Sequence, residues 1–459
     1  MEKRNIASER QLTSEGNGAG GISRRQFLQA LSATGAVAVV GAGTVTASGC
    51  ASSRYRSNAH IVISGGGAGG LTTANKLVRA LDGVRITIIE PREVHQYQPG
   101  YTLLGSGVYD SKSAVESPTG RYIPDGVRWV KSVVAEYDPD ANTVTTADGK
   151  KIRYDYLVVA SGCQLNYHHI EGMERRLVGS NGIGSNYAGS DGALATWGEV
   201  QKFVERGGVG LFTKPNTPLK CAGAPLKATF LTESRMAEAG TRGKAQIFYN
   251  HDSDRLFSVS VFHELASTRF AQKGVDVNNR HVLTAIDPGA KRATFDTPNG
   301  GVTMDYDYIH IVPPMSAPDT VAHSALAWTD GPFAKGGWLE VDRHTLQHRR
   351  YGNVFGVGDV VGTPVGKTAA SVKAQAPVVA DNLVAVMQGK PLPSAYNGYT
   401  SCPLITGLGR ASLVEFDYDL NLVPSFPGNP VPDRWRWWQM KVHAIRPFYY
   451  QTLMGRIPA

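Results

Sequence analysis

The sequence predicts an α/β protein with two Rossmann-like domains and an amphipathic C-terminal region. Three segments predict this fold, at residues 60–70, 155–162 and 353–359. In each, a short apolar run ends in glycines or other small residues. Parallel strands that are covered on both faces have such continuous apolar runs. We expect the three segments to share one sheet, and the middle of the chain to form the second domain.

The first segment has the pattern of a dinucleotide-binding turn. A strand over residues 61–63 leads into glycines that fit G-x-G-x-x-G, and a helical pattern follows over residues 71–81. Such glycines allow a tight turn and a close approach of the backbone to a pyrophosphate, at the positive end of the helix dipole. The residues assigned to this contact are Gly65, Gly67, Ala68, Gly69 and Gly70.

Glu90 ends the next predicted strand, which covers residues 85–89. An acid about twenty residues after the last glycine accepts hydrogen bonds from a ribose 2′-OH, whereas an arginine accommodates a 2′-phosphate. The pattern therefore favours FAD or NAD over a 2′-phosphorylated cofactor. The alternative is a plain βαβ unit without a ligand.

The second and third segments favour FAD over NAD. The strand in residues 155–162 ends in a turn of small residues. In flavoproteins of the disulfide-reductase type, which have two dinucleotide-binding domains, such a turn passes the flavin. The strand in residues 353–359 ends in G-x-G-D, and we assign the carboxylate of Asp359 to the ribityl chain. Without a ligand, this aspartate would be a helix N-cap. The residues assigned to FAD here are Ala160, Ser161, Gly162, Gly358 and Asp359.

The middle of the chain lacks a second glycine fingerprint. A strand over residues 209–212 runs into a loop, residues 213–225, that contains three prolines and no G-x-G-x-x-G spacing. Proline has no N–H group to offer a diphosphate. We therefore expect the second domain to keep its architecture without binding a nicotinamide cofactor. Cys221 lies in this loop.

Length and charge set broad limits on function. A chain of 459 residues can form two or more domains, and four cysteines are too few for a disulfide scaffold. The net charge of +8 is compatible with nucleic-acid binding, but no motif for it is present. We expect no nucleic-acid partner, and we assign the charge to an anionic membrane surface.

Residues 1–57 are predicted to be a leader. Arg24 and Arg25 precede a weakly apolar stretch, as in a Tat export signal. A transmembrane anchor is the alternative, but glycines and threonines make the stretch rather polar. Cys50 ends a lipobox-like segment, so that either this residue is lipidated or cleavage follows Ala47. We expect the protein at the periplasmic face of the cytoplasmic membrane.

The last 30 residues are rich in aromatic and cationic side chains, among them Trp435, Trp437 and Lys441. Tryptophan, tyrosine, lysine and arginine together are typical of a lipid headgroup layer. The alternative is an arm that packs on its own domain or on a homodimer partner. The predicted regions are the leader (1–57), the FAD domain (58–165 and 341–390), the second domain (166–340) and the C-terminal membrane and quinone region (391–459).

Six motifs carry a resemblance to a known family: HQYQPGYTLLGSG (95–107), PNTPLKCAGAPLK (215–227), YIHIVPPM (308–315), NVFGVGD (353–359), GKTAASVKAQ (366–375) and GYTSCPLITG (398–407). From residue 60 onward the chain resembles the sulfide:quinone oxidoreductases, in the branch that includes the mitochondrial enzyme. The resemblance implies a monotopic FAD enzyme that oxidises sulfide to a protein persulfide and passes two electrons through the flavin to quinone. Gln98, in the first motif, is assigned to the cofactor site.

The resemblance also implies two cysteines beside the flavin, whose disulfide or trisulfide bridge is attacked by sulfide. Cys221 matches the flavin-facing cysteine. The family pattern at the second position is G-D-C, but this chain has Val360 there, and valine does not accept a persulfide. Cys163 is the candidate second redox cysteine, with a buried structural role as the alternative. Cys402 is interpreted as structural.

Two lysines are candidates for cations at the site. Lys367 would lie near the flavin N1–C2=O end, where it would stabilise the reduced anion. A solvated lysine at a helix start is the alternative. Lys220, next to Cys221 in the sequence, is a candidate for holding a thiolate.

Three other functions remain open from the sequence. One is the flavin subunit of a flavocytochrome c sulfide dehydrogenase, whose electrons pass to a haem partner. Another is a catalytically idle flavoprotein, because the second cysteine is replaced by Val360. A type II NADH dehydrogenase is less favoured, because the nicotinamide loop is missing.

Overall fold

A sheet of five parallel strands forms the first core of the protein. Its strands lie in the spatial order Val354–Gly356, Tyr156–Val159, His60–Ser64, Arg85–Ile89 and Arg128–Val130. The computed structural model describes residues 54–457, so the predicted leader with its twin arginines and Cys50 lies outside the described residues. The three predicted segments contribute three neighbouring strands of this first sheet.

Two long helices pack against each other beside the first sheet. They are Ala68–Ala80 and Ala369–Met387. Leu71, Ala74 and Leu77 are fully buried, as the helical pattern predicts. The first helix begins before the predicted apolar stripe because its first turn consists of small residues, which give no periodic apolar signal.

A three-stranded antiparallel meander connects two strands of the first sheet, Arg128–Val130 and Tyr156–Val159. Its strands are Val134–Asp138, Thr143–Thr146 and Lys151–Arg153. The short paired strands nearby are Tyr55–Arg56 with Leu81–Asp82 and Val94–Gln96 with Glu116–Pro118. A 3-10 turn, Gln98–Gly100, and a short helix, Tyr101–Leu104, follow the strand Val94–Gln96.

The middle of the chain forms a second parallel sheet, and a three-stranded antiparallel meander again connects two of its strands. Its strands lie in the order Ile183–Gly184, Tyr308–His310, Gly208–Thr213, Ala245–His251 and Val275–Asn279. The helices are Gly189–Arg206, Ala224–Glu238 and Ser260–Lys273. The meander strands are Val282–Asp287, Arg292–Thr297 and Gly300–Asp305. Phe212, Ile247 and Tyr308 are fully buried in the second core.

The remaining chain contains two small hairpins and a terminal group of helices. The hairpin strands are Thr400–Ser401 with Glu415–Phe416 and Leu404–Gly407 with Arg410–Ser412. The helices are Trp435–Gln439, a π-helical turn at Met440–Ala444, and Ile445–Leu453. Among the described residues, no helix is both long and apolar enough to cross a membrane.

The terminal helices, which we call the C-terminal arm, pack on the protein through one face. Asn75 Nδ2 donates a hydrogen bond to the carbonyl oxygen of Leu453 at 3.0 Å, and the Tyr109 hydroxyl donates to that of Val442 at 2.8 Å. Trp435 and Phe448, in contrast, are 54% and 52% exposed. The arm therefore packs on its own chain, as the alternative reading of its sequence expected, and presents aromatic side chains on its other face.

Candidate functional site

The glycine loop, residues 65–70, joins the strand His60–Ser64 to the helix Ala68–Ala80, and its last three residues belong to the first turn of that helix. Gly65 has a φ of +106°, and a Cβ atom there would lie 2.4 Å from the carbonyl oxygen of Ala160. At Gly70 an added Cβ would lie 1.8 Å from the carbonyl oxygen of Gly65. Both positions therefore exclude a side chain. Gly67 instead faces open space, with Arg92 Nη2 as the nearest neighbour at 3.9 Å.

The helix that follows the glycine loop presents an anion-binding end. Its N-cap residue, Gly67, has no side chain to accept from the first N–H groups, and the first turn contains no acidic residue. Uncapped N–H groups and the helix dipole favour a phosphate at this end. The open space at Gly67 and the uncapped helix therefore fit the pyrophosphate of a dinucleotide.

Glu90 lies at the end of its strand, against the glycine loop. Its Oε2 atom accepts a hydrogen bond from the Gly66 N–H at 2.8 Å, and its Oε1 accepts from Nε of Arg92 at 2.7 Å. Burial opposes ionisation of this carboxyl, but the hydrogen bonds from Arg92 outweigh it and lower the pKa of Glu90. The carboxylate is therefore charged at neutral pH, as an acceptor for ribose hydroxyls must be.

The turn after the strand Tyr156–Val159 and the turn after Val354–Gly356 meet at the carboxyl edge of the first sheet, where open α/β sheets bind ligands. Gly162 has a φ of +76° with no atom within 4 Å of an added Cβ. Gly358 has a φ of +83°, and its N–H donates to Gln375 Oε1 at 2.8 Å. Burial raises the pKa of Asp359. Together with the glycine loop, these two turns lie at the edge of the sheet where a fold of this kind binds its dinucleotide.

Lys367 lies in the same region but is not a solvated lysine. Its ammonium donates to the carbonyl oxygens of Asp359 and Val361, at 2.6 and 2.9 Å. It also lies 3.6 Å from the ring centroid of Trp338. Burial lowers the pKa of Lys367 to about 8. The lysine therefore holds the G-x-G-D turn in place, and its contact with the flavin stays a prediction, as does that of the exposed Gln98.

Cys221 and Cys402 lie together around one buried lysine. Lys227 Nζ is 2.9 Å from Cys402 Sγ and 3.5 Å from Cys221 Sγ. Cys221 has a φ of +82°, a left-handed conformation that costs energy for a residue other than glycine and that persists where the surrounding fold enforces it. The structure thus places Cys402, which we interpreted from the sequence as structural, in the same site as Cys221.

The interaction between the two thiols moves their pKa values in opposite directions. A hydrogen bond to Cys402 and burial raise the pKa of Cys221, while the same hydrogen bond from Cys221 and the charge of Lys227 lower the pKa of Cys402. Burial alone would lower the pKa of Lys227, but the two sulfurs outweigh it and raise the value. Lys227 therefore stays charged and stabilises a thiolate, which is the nucleophilic form of cysteine.

Cys163 lies near this pair without a recorded hydrogen bond to it. Cys163 and Cys221 pack against the same apolar cluster, which is Tyr187, Leu219, Ala224, Val312 and Met315. Burial raises the pKa of Cys163 to about 11. This thiol is therefore neutral at physiological pH, and its predicted redox role stays a prediction. Val360, in the position where the family pattern has a cysteine, is fully buried in the first core.

Two lysines near the cysteine pair were not assigned to the site from the sequence, where Lys441 was named only as part of the C-terminal region. Lys227 is one helical turn into Ala224–Glu238, and Lys441 comes from the C-terminal arm, where its ammonium donates to the carbonyl oxygen of Pro99 at 2.6 Å. Lys220 was a candidate for holding a thiolate because it is next to Cys221 in the sequence. In the structure its positive charge lowers the pKa of Cys163 and of Asp359, against the larger effect of burial. The TSCP motif was the available signal for Cys402, since it holds the one cysteine of residues 58–459 besides Cys163 and Cys221.

Comparison with known proteins first gives the class. A family model described as pyridine nucleotide-disulphide oxidoreductase matches residues 59–202. With two parallel sheets and a glycine cradle that fits FAD, the protein is an FAD-dependent oxidoreductase of this class.

Individual relatives then give the family. The chain is 39% identical over 399 residues to the mitochondrial sulfide:quinone oxidoreductase of Mus musculus, covering 86% of each chain. It is 40% identical over 368 residues to that of Dictyostelium discoideum, covering 80% of this chain and 79% of the relative. The chain belongs to the sulfide:quinone oxidoreductase family, as its motifs predicted.

A solved structure supports the same fold. The X-ray structure of the sulfide:quinone oxidoreductase from Aquifex aeolicus matches with a TM-score of 0.73 at 24% identity. The match covers 87% of this chain and 93% of the other. The predicted α/β class is therefore confirmed.

Proposed function

We propose that the protein oxidises sulfide at Cys221 and Cys402 and passes two electrons through FAD to a membrane quinone. The observation that carries this proposal is the contact of both sulfurs with the ammonium of Lys227. Two cysteines that share one cation and lie beside a flavin cradle are equipped for thiol–disulfide chemistry. This pair also supplies the second cysteine that the sequence lacks at Val360.

The reaction begins from the disulfide between Cys221 and Cys402. Attack of hydrosulfide breaks the S–S bond and leaves a persulfide on one cysteine and a thiolate on the other. Lys227 stabilises this thiolate. When a nucleophile has removed the outer sulfur, the two cysteines return to the disulfide and release two electrons and their protons. Bound FAD supplies the two-electron acceptor, and its chemistry lies with the cofactor.

An anaerobic sulfide titration of the purified FAD protein tests this function. We expect the flavin absorbance of the wild type to be bleached by sulfide and restored by a soluble quinone. Cys221→Ser and Cys402→Ser should each slow bleaching by at least about 100-fold, because each removes one half of the reacting bond. A wild type whose flavin does not respond to sulfide would refute the proposal.

Cys163→Ser is the matched comparison in the same titration. Bleaching at the wild-type rate assigns the second redox position to Cys402. A loss as large as that of Cys221→Ser, with Cys402→Ser active, assigns it to Cys163, as the sequence analysis expected.

We also propose that the C-terminal arm docks on a membrane surface. Its exposed aromatic side chains, Trp435 and Phe448, lie on a segment with the exposed Arg434 and Arg436. This mixture suits a headgroup layer. A Trp435→Ser, Phe448→Ser variant should lose co-flotation with anionic liposomes while it keeps bound flavin, whereas a shift in oligomeric state instead would mean that the aromatic face covers a homodimer partner.

We propose Tat export to the periplasmic face, which Arg24→Lys with Arg25→Lys should block, and lipidation at Cys50, which metabolic labelling with palmitate would reveal.

We propose that the second sheet is a Rossmann-like domain without a nicotinamide site, since prolines follow its strand Gly208–Thr213. Rapid oxidation of NADH would contradict this assignment.

A further inference from the structure

Donors from the described part of the chain fill the carboxylate of Glu90. Its Oε1 atom accepts from the backbone N–H of Arg92 at 2.9 Å and from Nε of the same residue at 2.7 Å. Its Oε2 atom accepts from the N–H of Gly66 at 2.8 Å and from Nη2 of Arg92 at 3.0 Å. An ionised carboxylate offers about four lone-pair positions. Protein donors therefore occupy all of them.

This saturation has a consequence for the ribose contact of Glu90. An acid at this position of the fold accepts hydrogen bonds from hydroxyl groups of the adenosine ribose. Such hydroxyls find an acceptor on Glu90 only after other donors have left. The two backbone N–H groups are fixed by the chain, whereas the guanidinium of Arg92 ends a flexible side chain. The guanidinium and the ribose hydroxyls therefore compete for the same two positions.

The two partners of this ion pair differ in burial. The side chain of Glu90 is 3% exposed, whereas that of Arg92 is 54% exposed. Water therefore solvates the guanidinium when it moves away, and ion-pair partners that are open to water are held weakly. The buried carboxylate, in contrast, is unfavourable without donors. Ribose hydroxyls supply such donors, so the exchange leaves the carboxylate hydrogen-bonded.

A second anion-binding place lies within reach of the same guanidinium. Nη2 of Arg92 is the nearest neighbour, at 3.9 Å, of the place that a Cβ atom at Gly67 would take. Gly67 is the N-cap of the helix Ala68–Ala80, the end that fits a pyrophosphate. Arginine pairs with phosphate oxygens through parallel N–H groups. A short movement of one side chain therefore brings the positive charge from Glu90 to the pyrophosphate.

We propose that Arg92 is a further FAD-binding residue, one that exchanges partners when the cofactor binds. Its guanidinium pairs with Glu90 beforehand, then yields that carboxylate to the ribose hydroxyls and pairs with the pyrophosphate. The exchange concerns the loading and retention of FAD and goes beyond the sulfide chemistry proposed above. It gives Arg92 two separable effects, since the residue slows the association of FAD and also slows its dissociation.

Stopped-flow fluorescence with FAD and the FAD-free protein tests this exchange. For Arg92→Met, which removes the guanidinium, we expect association to be faster by about fivefold or more, because no competitor then covers Glu90. Dissociation of FAD from the holoprotein should also be faster by about fivefold or more, because the pyrophosphate loses a cation. An association rate no higher than that of the wild type, or an unchanged dissociation rate, would overturn the exchange.

Lys131→Met is the matched control for the loss of one positive charge. Lys131 pairs with Glu93 at an exposed site, on the strand next to the one that Glu90 follows. Both rates should stay within about twofold of the wild type, because an exposed pair contributes little. An increase in the association rate as large as that of Arg92→Met would show that surface charge, and not competition at Glu90, sets the rate.

A crystal structure of the wild-type FAD complex tests the exchange without a variant. We expect ribose hydroxyls within hydrogen-bond distance of Glu90 and the guanidinium of Arg92 on a phosphate oxygen. A bidentate pair of Arg92 with Glu90 in the presence of FAD would overturn the proposal. Neither measurement involves sulfide, so a flavin that does not respond to sulfide would refute the proposed function and leave the exchange standing.

Discussion

Gly67 and Gly70 belong to the same glycine pattern, but the fold constrains them for different reasons. The backbone oxygen of Gly65 occupies the space in which a Cβ at Gly70 would lie, at 1.8 Å. At Gly67 the space is open, and φ is −75°, which any residue adopts. Glycine at position 70 is thus required by the protein itself, whereas at position 67 we expect the requirement to come from a bound pyrophosphate.

Alanine substitutions separate these two requirements. Gly67→Ala should leave the thermal stability of the FAD-free protein unchanged but weaken FAD binding by about tenfold, since the methyl group faces the space for the pyrophosphate. Gly70→Ala should destabilise the FAD-free protein by about 2 kcal/mol or more, because the loop must shift. Fluorescence titration with FAD and thermal unfolding measure the two effects. Equal FAD affinity for Gly67→Ala and the wild type would mean that the pyrophosphate lies elsewhere.

At the level of elements, Asp433 ties the C-terminal arm to two other parts of the fold. Its carboxylate accepts hydrogen bonds from Arg269 Nη2 at 2.7 Å, on the helix Ser260–Lys273, and from Arg410 Nη2 at 2.9 Å, in a hairpin. Thr406 donates to the same carboxylate at 2.5 Å. Burial opposes its ionisation, but these hydrogen bonds outweigh it and hold the pKa of Asp433 well below its usual value. The residue therefore fixes the start of the arm that carries Lys441.

Asp433→Asn should lower the free energy of unfolding by about 2 kcal/mol or more, because two arginines lose a buried counter-charge. Asp254→Asn is the control, since Asp254 pairs with Arg280 at an exposed site where such a pair contributes little. Urea unfolding of both variants measures the difference. If both variants lost the same free energy of unfolding, the buried ion pairs of Asp433 would contribute no more to stability than the exposed pair of Asp254.

Across the whole molecule, three buried histidines connect stability to pH. Burial lowers the pKa values of His95, His310 and His348 from 6.5 to about 4. Below pH 6.5 the unfolded chain therefore binds protons that the folded protein does not. The stability contribution of these groups is complete above pH 6.5 and is lost progressively as the pH falls toward 4.

We expect the free energy of unfolding to fall between pH 7.5 and pH 5 by roughly 2 kcal/mol for each of these histidines. His95→Gln should reduce this fall by about one third of the histidine contribution, since glutamine does not titrate and can still bond to the hydroxyl of Tyr449. Urea unfolding at both pH values gives the comparison. If His95→Gln left the pH dependence of the free energy of unfolding unaltered, the pKa of His95 would not be lowered in the folded protein.

The cofactor half of the site could be predicted from the sequence because its chemistry is local. Glycines 65 and 67 lie just before one helix, glycine 70 lies in its first turn, and Glu90 follows the next strand, so spacing alone brings them together. The cysteine half is not local. Cys402 is 175 positions from Lys227, and no periodicity or spacing connects them. From the sequence alone, Cys163 is therefore the candidate for the second redox cysteine and Cys402 is interpreted as structural.

The sequence by itself determined the α/β class, the FAD cradle and the family, since these depend on short patterns of buried strands, glycine turns and acidic strand ends. Only the tertiary structure decided which side chains surround Cys221. The link between two short strands supplies Cys402 and a helix supplies Lys227, while the charge of Lys441, on the C-terminal arm, acts on both sulfurs. The physical reason is that charges and thiols act over a few ångströms of space in a buried site, and the packing of distant segments sets those distances.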